Sequence, residues 1–488
     1  MEPHQLQFVF ADSPQGSQDE DTAGAPTGKS ILQQIAKARK VKGSSTTKES
    51  LETLMEEVAS RHNLASALLH VARNHGAPGL DGVTTEEILE TGHRLLKALS
   101  ADLLSGRYQP GEIRRKEIPK PGGGCRNLGI PNVVDRWVGQ AVNQVLAPLL
   151  EPQFHPSSHG FRPRRGANTA IAEAKEHLTA GCSWVVSIDL SKFFDRVNHQ
   201  RLLARLAQKV PDKRVLRLIH QMLKAKVVLP NGTRVNTEEG TVQGGPLSPL
   251  LSNVVLDELD WELQRRNLRF VRYADDFNIY VSSQRAGERV MASLTAFIKR
   301  RLRLMINDDK SEVSRPENVH LLGFCLKIGK KGSVEVGLSR RSQERMRIRI
   351  RELTPRNWGR SIEACFEEVN RYFKGWIGYF KLCTQSGCRS PLEHYDSHIR
   401  RRIRAIIVKQ KKRNRFLYRH LLKRGVTVKT AAKTAFGTVA SWKKSNLRGM
   451  TLAYPNRWFD GRLTNLWKEW SRLNPTPIVV PTQLALEF

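Results

Sequence analysis

The stretch Arg269-Phe270-Val271-Arg272-Tyr273-Ala274-Asp275-Asp276-Phe277-Asn278-Ile279-Tyr280-Val281 governs the reading of the whole chain. Two short apolar runs flank a pair of adjacent carboxylates. In the second run Phe277, Ile279 and Val281 alternate with Asn278 and Tyr280, the two-residue period of a strand. The pattern predicts a tight β-hairpin with Asp275 and Asp276 at its tip. Neighbouring carboxylates at a strand end repel one another unless a cation neutralises them. Hard divalent ions with oxygen ligands, chiefly Mg²⁺, do that. Asp is also a common turn residue, so an isolated pair reads first as a solvated turn.

An upstream segment shifts that balance. In Trp184-Val185-Val186-Ser187-Ile188-Asp189-Leu190-Ser191-Lys192-Phe193-Phe194-Asp195, Trp184, Val186 and Ile188 alternate with Val185, Ser187 and Asp189. The strand therefore delivers Asp189 at or near its end. A third carboxylate beside the hairpin tip would complete a site for two metal ions, which activates a 3′-hydroxyl and stabilises leaving pyrophosphate. Tyr273-Ala274-Asp275-Asp276, with Asp189 upstream and Phe194 five residues beyond it, resembles the palm of reverse transcriptases. The resemblance implies catalytic Asp189, Asp275 and Asp276. It also implies two Mg²⁺ ions, replaceable by Mn²⁺, held by these carboxylates and Leu190, with deoxynucleotide triphosphates as substrates.

The 488 residues leave room for three or four domains. The apolar fraction is ordinary, but the net charge is +33, which predicts salt-sensitive attraction to polyanions. No apolar run has transmembrane length and no secretory signal is present, so a cytoplasmic location without membrane contact is expected. Cys125, Cys182, Cys325, Cys365, Cys383 and Cys388 are scattered, which argues against a zinc site or disulfide framework and for a reducing compartment.

In chain order, residues 1–45 read as a disordered leader, because Ser13 to Gly28 is rich in Ser, Gly, Pro, Gln and acidic residues. Helical spacing begins near Ser50. Gly76 to Thr84 is a turn-rich loop leading into a capped helix at Thr85-Glu86-Glu87; it resembles the N-terminal extension of group II intron reverse transcriptases. Residues 114–137 contain a turn at Pro119 to Gly124 bracketed by Lys120 and Arg126. Two cations on a fingertip can clamp a triphosphate, though such a loop can equally be solvated. Both match nucleotide-contacting positions of the family, while Asn127 stands where the family usually has proline.

Gly160-Phe161-Arg162-Pro163 resembles the fingers motif over the template; Arg162, Arg164 and Arg165 read either as template-phosphate contacts or as solvated surface charges. His159 is read as a structural hydrogen-bonding group. Phe194 matches the bulky residue that excludes a ribose 2′-hydroxyl, although an isolated Phe beside Phe193 would read as core. Gln243-Gly244-Gly245-Pro246-Leu247-Ser248-Pro249 is a specific match to the family, with Gln243 facing the nucleotide or template base. Lys310 matches a lysine near the nucleotide phosphates, and His320 to Leu326 resembles the strand of the primer grip.

Met346, Ile350 and Leu353 line one face of a helix whose other faces are basic, Arg345 and Arg349 among them. Phe366, Val369, Phe373, Trp376 and Phe380 then recur every three or four residues, a bundle-core stripe. Arg371 to Phe380, which includes Lys374, also resembles the thumb, or maturase domain X, of group II intron proteins. Arg345, Arg349 and Lys374 are accordingly expected to bind RNA or template. From His398 the chain becomes more basic, with Ile399, Ile403, Ile406 and Ile407 as a buried face. Arg400, Arg401, Arg404, Lys411, Lys412 and Arg413 fall in the family's DNA-binding region. No His/Asn/Cys-rich endonuclease module follows, so priming from a pre-existing 3′ end is expected.

The expectation is an α+β right-hand polymerase: a leader (1–45), fingers and palm with an antiparallel palm sheet (46–335), an α-helical thumb or domain X (336–395), a basic helical DNA-binding region (396–475) and a tail (476–488). The implied function is that of a group II intron-encoded reverse transcriptase and maturase. Its partners would be intron RNA and target DNA, with homodimerisation left open. Two alternatives remain. A host-recruited reverse transcriptase of retron, diversity-generating or defence type has no need of domain X, and a splicing-only maturase has no need of an intact carboxylate triad. An RNA-dependent RNA polymerase is disfavoured by Phe194.

Overall fold

The computed structural model describes residues 27–37, 52–119 and 125–475. Their strands are, in chain order, β1 (Ile113–Pro119), β2 (Cys125–Ile130), β3 (Trp184–Asp189), β4 (Val227–Val228), β5 (Arg234–Val235), β6 (Arg269–Tyr273), β7 (Asp276–Val281), β8 (Glu312–Ser314), β9 (Phe324–Ile328) and β10 (Val334–Leu338). The chain divides into two units, one comprising residues 1–146, 210–236 and 244–247, the other residues 147–209, 237–243 and 248–488.

The first unit packs helices with a four-stranded sheet in the order β2-β1-β4-β5. The expected helix spans Thr85–Ser105, opened by a reciprocal cap between Thr84 and Glu87 and closed by left-handed Gly106. β1 and β2 form an antiparallel hairpin that pairs Ile118 with Arg126. Lys120, expected at its turn, lies outside the described residues.

Part of the expected leader is ordered. Gly28–Lys37 is a helix with Leu32 fully buried. Gly28 lies so close to Glu90 that a Cβ there would come within 2.1 Å of its carbonyl oxygen. The polar composition of residues 13–28 masked the apolar face of Ile31, Leu32 and Ile35 that follows it. The rest of the expected leader lies outside the described residues.

The second unit is built on an antiparallel sheet in the order β6-β7-β3-β8. Both of its faces are covered. On one, Tyr280 and His177 of the Ala167–Thr179 helix bring their rings to 5.2 Å. On the other, a Cβ at Gly287 of the Gln284–Phe297 helix would sit 2.5 Å from Val313 and 3.4 Å from Val186. Only glycine permits that approach. Asn278 and Tyr280, on the face opposite Phe277, Ile279 and Val281, are therefore buried as well.

The strand expected from His320 begins at Phe324, because Leu321 to Gly323 turns, with Gly323 at φ +91°. Next come helices Arg340–Leu353, Ile362–Phe380 and Gln385–Gln410, each opened by a side-chain cap from Ser339, Ser361 and Thr384 respectively. The expected aromatic stripe is core: Phe366, Phe373 and Phe380 are buried, and the tilted rings of Trp376 and Phe380 have their centroids 4.5 Å apart. This core continues without a break through Ile399, Ile403 and Leu421 to Leu466 and Trp470. The boundary expected at 395/396 falls inside the Gln385–Gln410 helix, whose Asp396 accepts from the amides of Leu466 (2.8 Å) and Trp467 (3.1 Å).

Candidate active site

The tip of the β6–β7 hairpin is the two-residue turn Ala274-Asp275, with Tyr273 opposite Asp276. Ala274 has φ +55°, a left-handed conformation that costs a non-glycine residue about 1 kcal/mol. Register sets Asp189, the last residue of β3, opposite Asp276, the first of β7. Two carboxylates thus share one end of the sheet, with Asp275 next in sequence.

The 307–311 segment holds the end of β3. The amide of Asn307 donates to the Asp189 carbonyl at 2.8 Å, and the amide of Asp189 donates to Ser311 Oγ at 3.0 Å. Lys310 Nζ lies 3.4 Å from Asp189 Oδ2. Asp276 is exposed on one side, yet burial around its carboxyl, then the charges of Asp275 and Asp189, push its pKa up to about 7. Lys310 and Arg341 act in the opposite direction. Such a concentration of negative charge, built of hard oxygen donors, matches the ligand chemistry of a divalent cation. Among the described residues, however, no three His, Cys, Asp or Glu side chains close to ligand spacing. Leu190 has no donor atom in its side chain, which is buried, so the backbone carbonyl is the only ligand it has to offer.

Beyond β3 the chain forms a 3₁₀ turn at Phe193–Asp195. Phe193 is buried, and half-buried Phe194 meets it edge-on at 5.2 Å. The carbonyl of Phe194 accepts from the amide of Thr241 at 2.6 Å, which ties this turn to the segment carrying half-buried Gln243. Arg126 stands exposed on β2, in the first unit.

The basic side chains sort by burial. Arg162 does not face a template: it is 8% exposed, ion-paired to Glu151 at 2.9 Å and donating to the carbonyls of His155 and Ser158. Arg404 does not face solvent either; it is 7% exposed and donates to the Tyr454 carbonyl at 2.8 Å. Both side chains point inward, Arg162 from a loop and Arg404 from the buried face of the Gln385–Gln410 helix, so their charge braces backbone carbonyls. Arg165 donates to the Pro156 carbonyl, while Arg164 is exposed. Arg345, Lys374, Lys412 and Arg413 are exposed, and Arg400 and Lys411 partly so. Arg349 pairs with Glu352 at 2.9 Å, and Arg401 lies over the Trp442 ring at 4.1 Å.

His159 is a structural group, as expected: Nδ1 meets Thr169 Oγ1 at 2.8 Å and Nε2 meets Glu173 Oε2 at 2.7 Å. Burial would raise the Glu173 carboxyl, but hydrogen bonds from His159, His177 and Ser157 outweigh it and hold the group far below the usual range. Sequence reasoning missed Glu173, and it missed Arg272, Asp260 and Asn253 behind the hairpin. The signal was a charged residue at a core position of an apolar strand and another of opposite sign on the apolar helix Ser248–Arg265.

Residues 118–326 match the family described as reverse transcriptase (RNA-dependent DNA polymerase), and residues 343–425 match the group II intron, maturase-specific domain. The chain is 32% identical to protein YkfC of Escherichia coli over 54% of its own length and 79% of that protein. It is 27% identical to the group II intron-encoded protein LtrA of Lactococcus lactis, covering 52% of this chain and 54% of LtrA. The putative COX1/OXI3 intron 2 protein of Saccharomyces cerevisiae is 29% identical, covering 48% of this chain and 34% of that protein. With a reverse transcriptase domain followed by a maturase-specific domain, the chain belongs to the group II intron-encoded reverse transcriptases, RNA-directed DNA polymerases that carry a maturase domain.

Proposed function

We propose that the protein binds a group II intron RNA, promotes its splicing and reverse splicing into DNA, and copies it into cDNA. The observation that carries the polymerase reading is the register setting Asp189 against Asp276 beside the Ala274-Asp275 turn. Asp189, Asp275, Asp276 and the Leu190 carbonyl would hold two Mg²⁺ ions, or Mn²⁺ in their place. Bound divalent ions supply Lewis acidity for 3′-hydroxyl attack and charge neutralisation for the leaving pyrophosphate.

The remaining roles belong to the protein's own side chains. Lys310, near Asp189, offers positive charge to a triphosphate, as would Lys120 and Arg126 from the fingers. Phe194 would exclude a 2′-hydroxyl by overlap, and Gln243 would hydrogen-bond the nucleotide or template base. Arg164, Arg165, Arg345, Arg349 and Lys374 would meet RNA, and Arg400, Arg401, Lys411, Lys412 and Arg413 would meet DNA. In this reading the fingers and palm occupy 46–335, and the thumb and the DNA-binding region share the helices that follow, with no boundary at 395/396 because the Gln385–Gln410 helix crosses it.

The test is primer extension on an RNA template with Mg²⁺ and deoxynucleotides, comparing wild type with Asp275→Ala, alongside splicing of the flanking intron RNA. Extension lost with splicing kept supports both halves of the reading. Splicing by both proteins with extension by neither would make the chain an RNA-folding cofactor.

A further inference from the structure

We infer that Arg272 is a positioning residue for nucleotide addition: its guanidinium holds the left-handed Ala274 turn that presents Asp275. The inference rests on the polymerase reading above.

Arg272 is fully buried on β6. Its Nε donates to Asp260 Oδ1 at 2.7 Å and its Nη2 to Asp260 Oδ2 at 2.5 Å. An ion pair with Asp260 would need nothing more. Nη1, however, donates to two further acceptors, Asn253 Oδ1 at 2.8 Å and the carbonyl of Ala274 at 3.1 Å. That carbonyl belongs to the peptide joining Ala274 to Asp275. With φ +55° on a residue that has a Cβ, the turn is strained and persists only where its surroundings hold it.

The opposite side of the turn is held by the same network. Asn253 Nδ2 donates to the Gly160 carbonyl at 3.0 Å, so a single amide links Arg272 to the 157–160 segment. Arg272 also bonds this segment through its backbone, donating to Ser157 at 2.9 Å and accepting from His159 at 2.8 Å. Gly160 then lies directly beneath the turn, where an added Cβ would come within 2.2 Å of the Ala274 nitrogen. The planar fork of an arginine can reach Asp260, Asn253 and Ala274 together, whereas a lysine ammonium cannot.

The experiment compares full-length wild type and Arg272→Lys, which keeps a positive charge against Asp260. Single-nucleotide extension on an RNA template gives kcat and KM, primer–template binding gives Kd, and amide exchange is followed across residues 270–281. We expect kcat to fall about tenfold or more, with KM and Kd within about twofold and faster exchange confined to the turn. Adding Ala274→Gly, which removes the left-handed penalty, should recover about threefold or more of the lost kcat. Unchanged kcat and exchange, parallel loss of kcat and binding, or no recovery by Ala274→Gly would overturn the inference. Should Arg272→Lys fail to fold, Asn253→Ser, which leaves the ion pair whole, must give the same split between kcat and KM. If wild type itself does not extend, the polymerase reading fails, and turn exchange alone decides the role of Arg272.

Discussion

Asp189 and Asp276 stand directly opposite one another where β3 and β7 end, so a backbone ladder, not a flexible loop, fixes the spacing of two catalytic candidates. Neither can be exchanged for a neutral group without removing charge from that spot. Asp276→Asn and Asp189→Asn should each lower primer extension about a thousandfold, equivalent to several kcal/mol of lost transition-state stabilisation. Intron-RNA binding by the same variants should stay at the wild-type level in a filter assay.

Phe194 rests edge-on against buried Phe193 and is itself only half-buried; the proposed sugar gate makes its ring the selecting element. Phe194→Ala should reduce discrimination against ribonucleotides about ten- to a hundredfold, with deoxynucleotide incorporation largely kept. Competing dNTP and rNTP incorporation on one template measures it. Equal discrimination in both proteins would return Phe194 to an ordinary packing role.

Arg404 and Lys412 lie eight residues apart in one basic run and should behave oppositely. Arg404→Ala strips a donor from the buried Tyr454 carbonyl and should cost about 2–3 kcal/mol in urea unfolding. Lys412→Ala leaves stability unchanged and lowers the slope of log affinity against log salt by about 1.

Asp396 gives the protein a pH-dependent stability. Burial pushes its carboxyl up from 3.8 to about 6, against the pull of the Leu466 and Trp467 amides. A raised carboxyl pKa favours the neutral form, so its contribution is full below about pH 4 and is lost as pH rises through about 6. The loss amounts to at most about 3 kcal/mol. Asp396→Asn should flatten that part of the profile when urea midpoints are compared at pH 4 and pH 7.

Much of this architecture is legible in the residues. The β6–β7 hairpin, the strand ending in Asp189 and the aromatic helix Ile362–Phe380 all follow from apolar periods of two or of three to four. Turn chemistry and burial were harder to read. Nothing in the spacing tells Arg162 or Arg404 from their exposed neighbours, because a one-dimensional run of charge does not show which side chain turns inward. The Arg272–Asp260 pair escaped for the reverse reason: the partners are twelve residues apart on different elements, and only the fold brings them together. The Gly28–Lys37 helix was obscured by the polar residues before it.

The Gln385–Gln410 helix runs 26 residues, about 39 Å at 1.5 Å per residue. One end belongs to the aromatic bundle and the other leads into the basic run, so a single helix, with Pro391 as the one interior break in its hydrogen-bond ladder, sets the interval between them. A nucleic acid that touched both ends would meet two sites joined by continuous helix and not by a tether. Two regions that look like separate cassettes in the sequence cannot be traded independently between relatives, because any exchange cut between them would sever the helix.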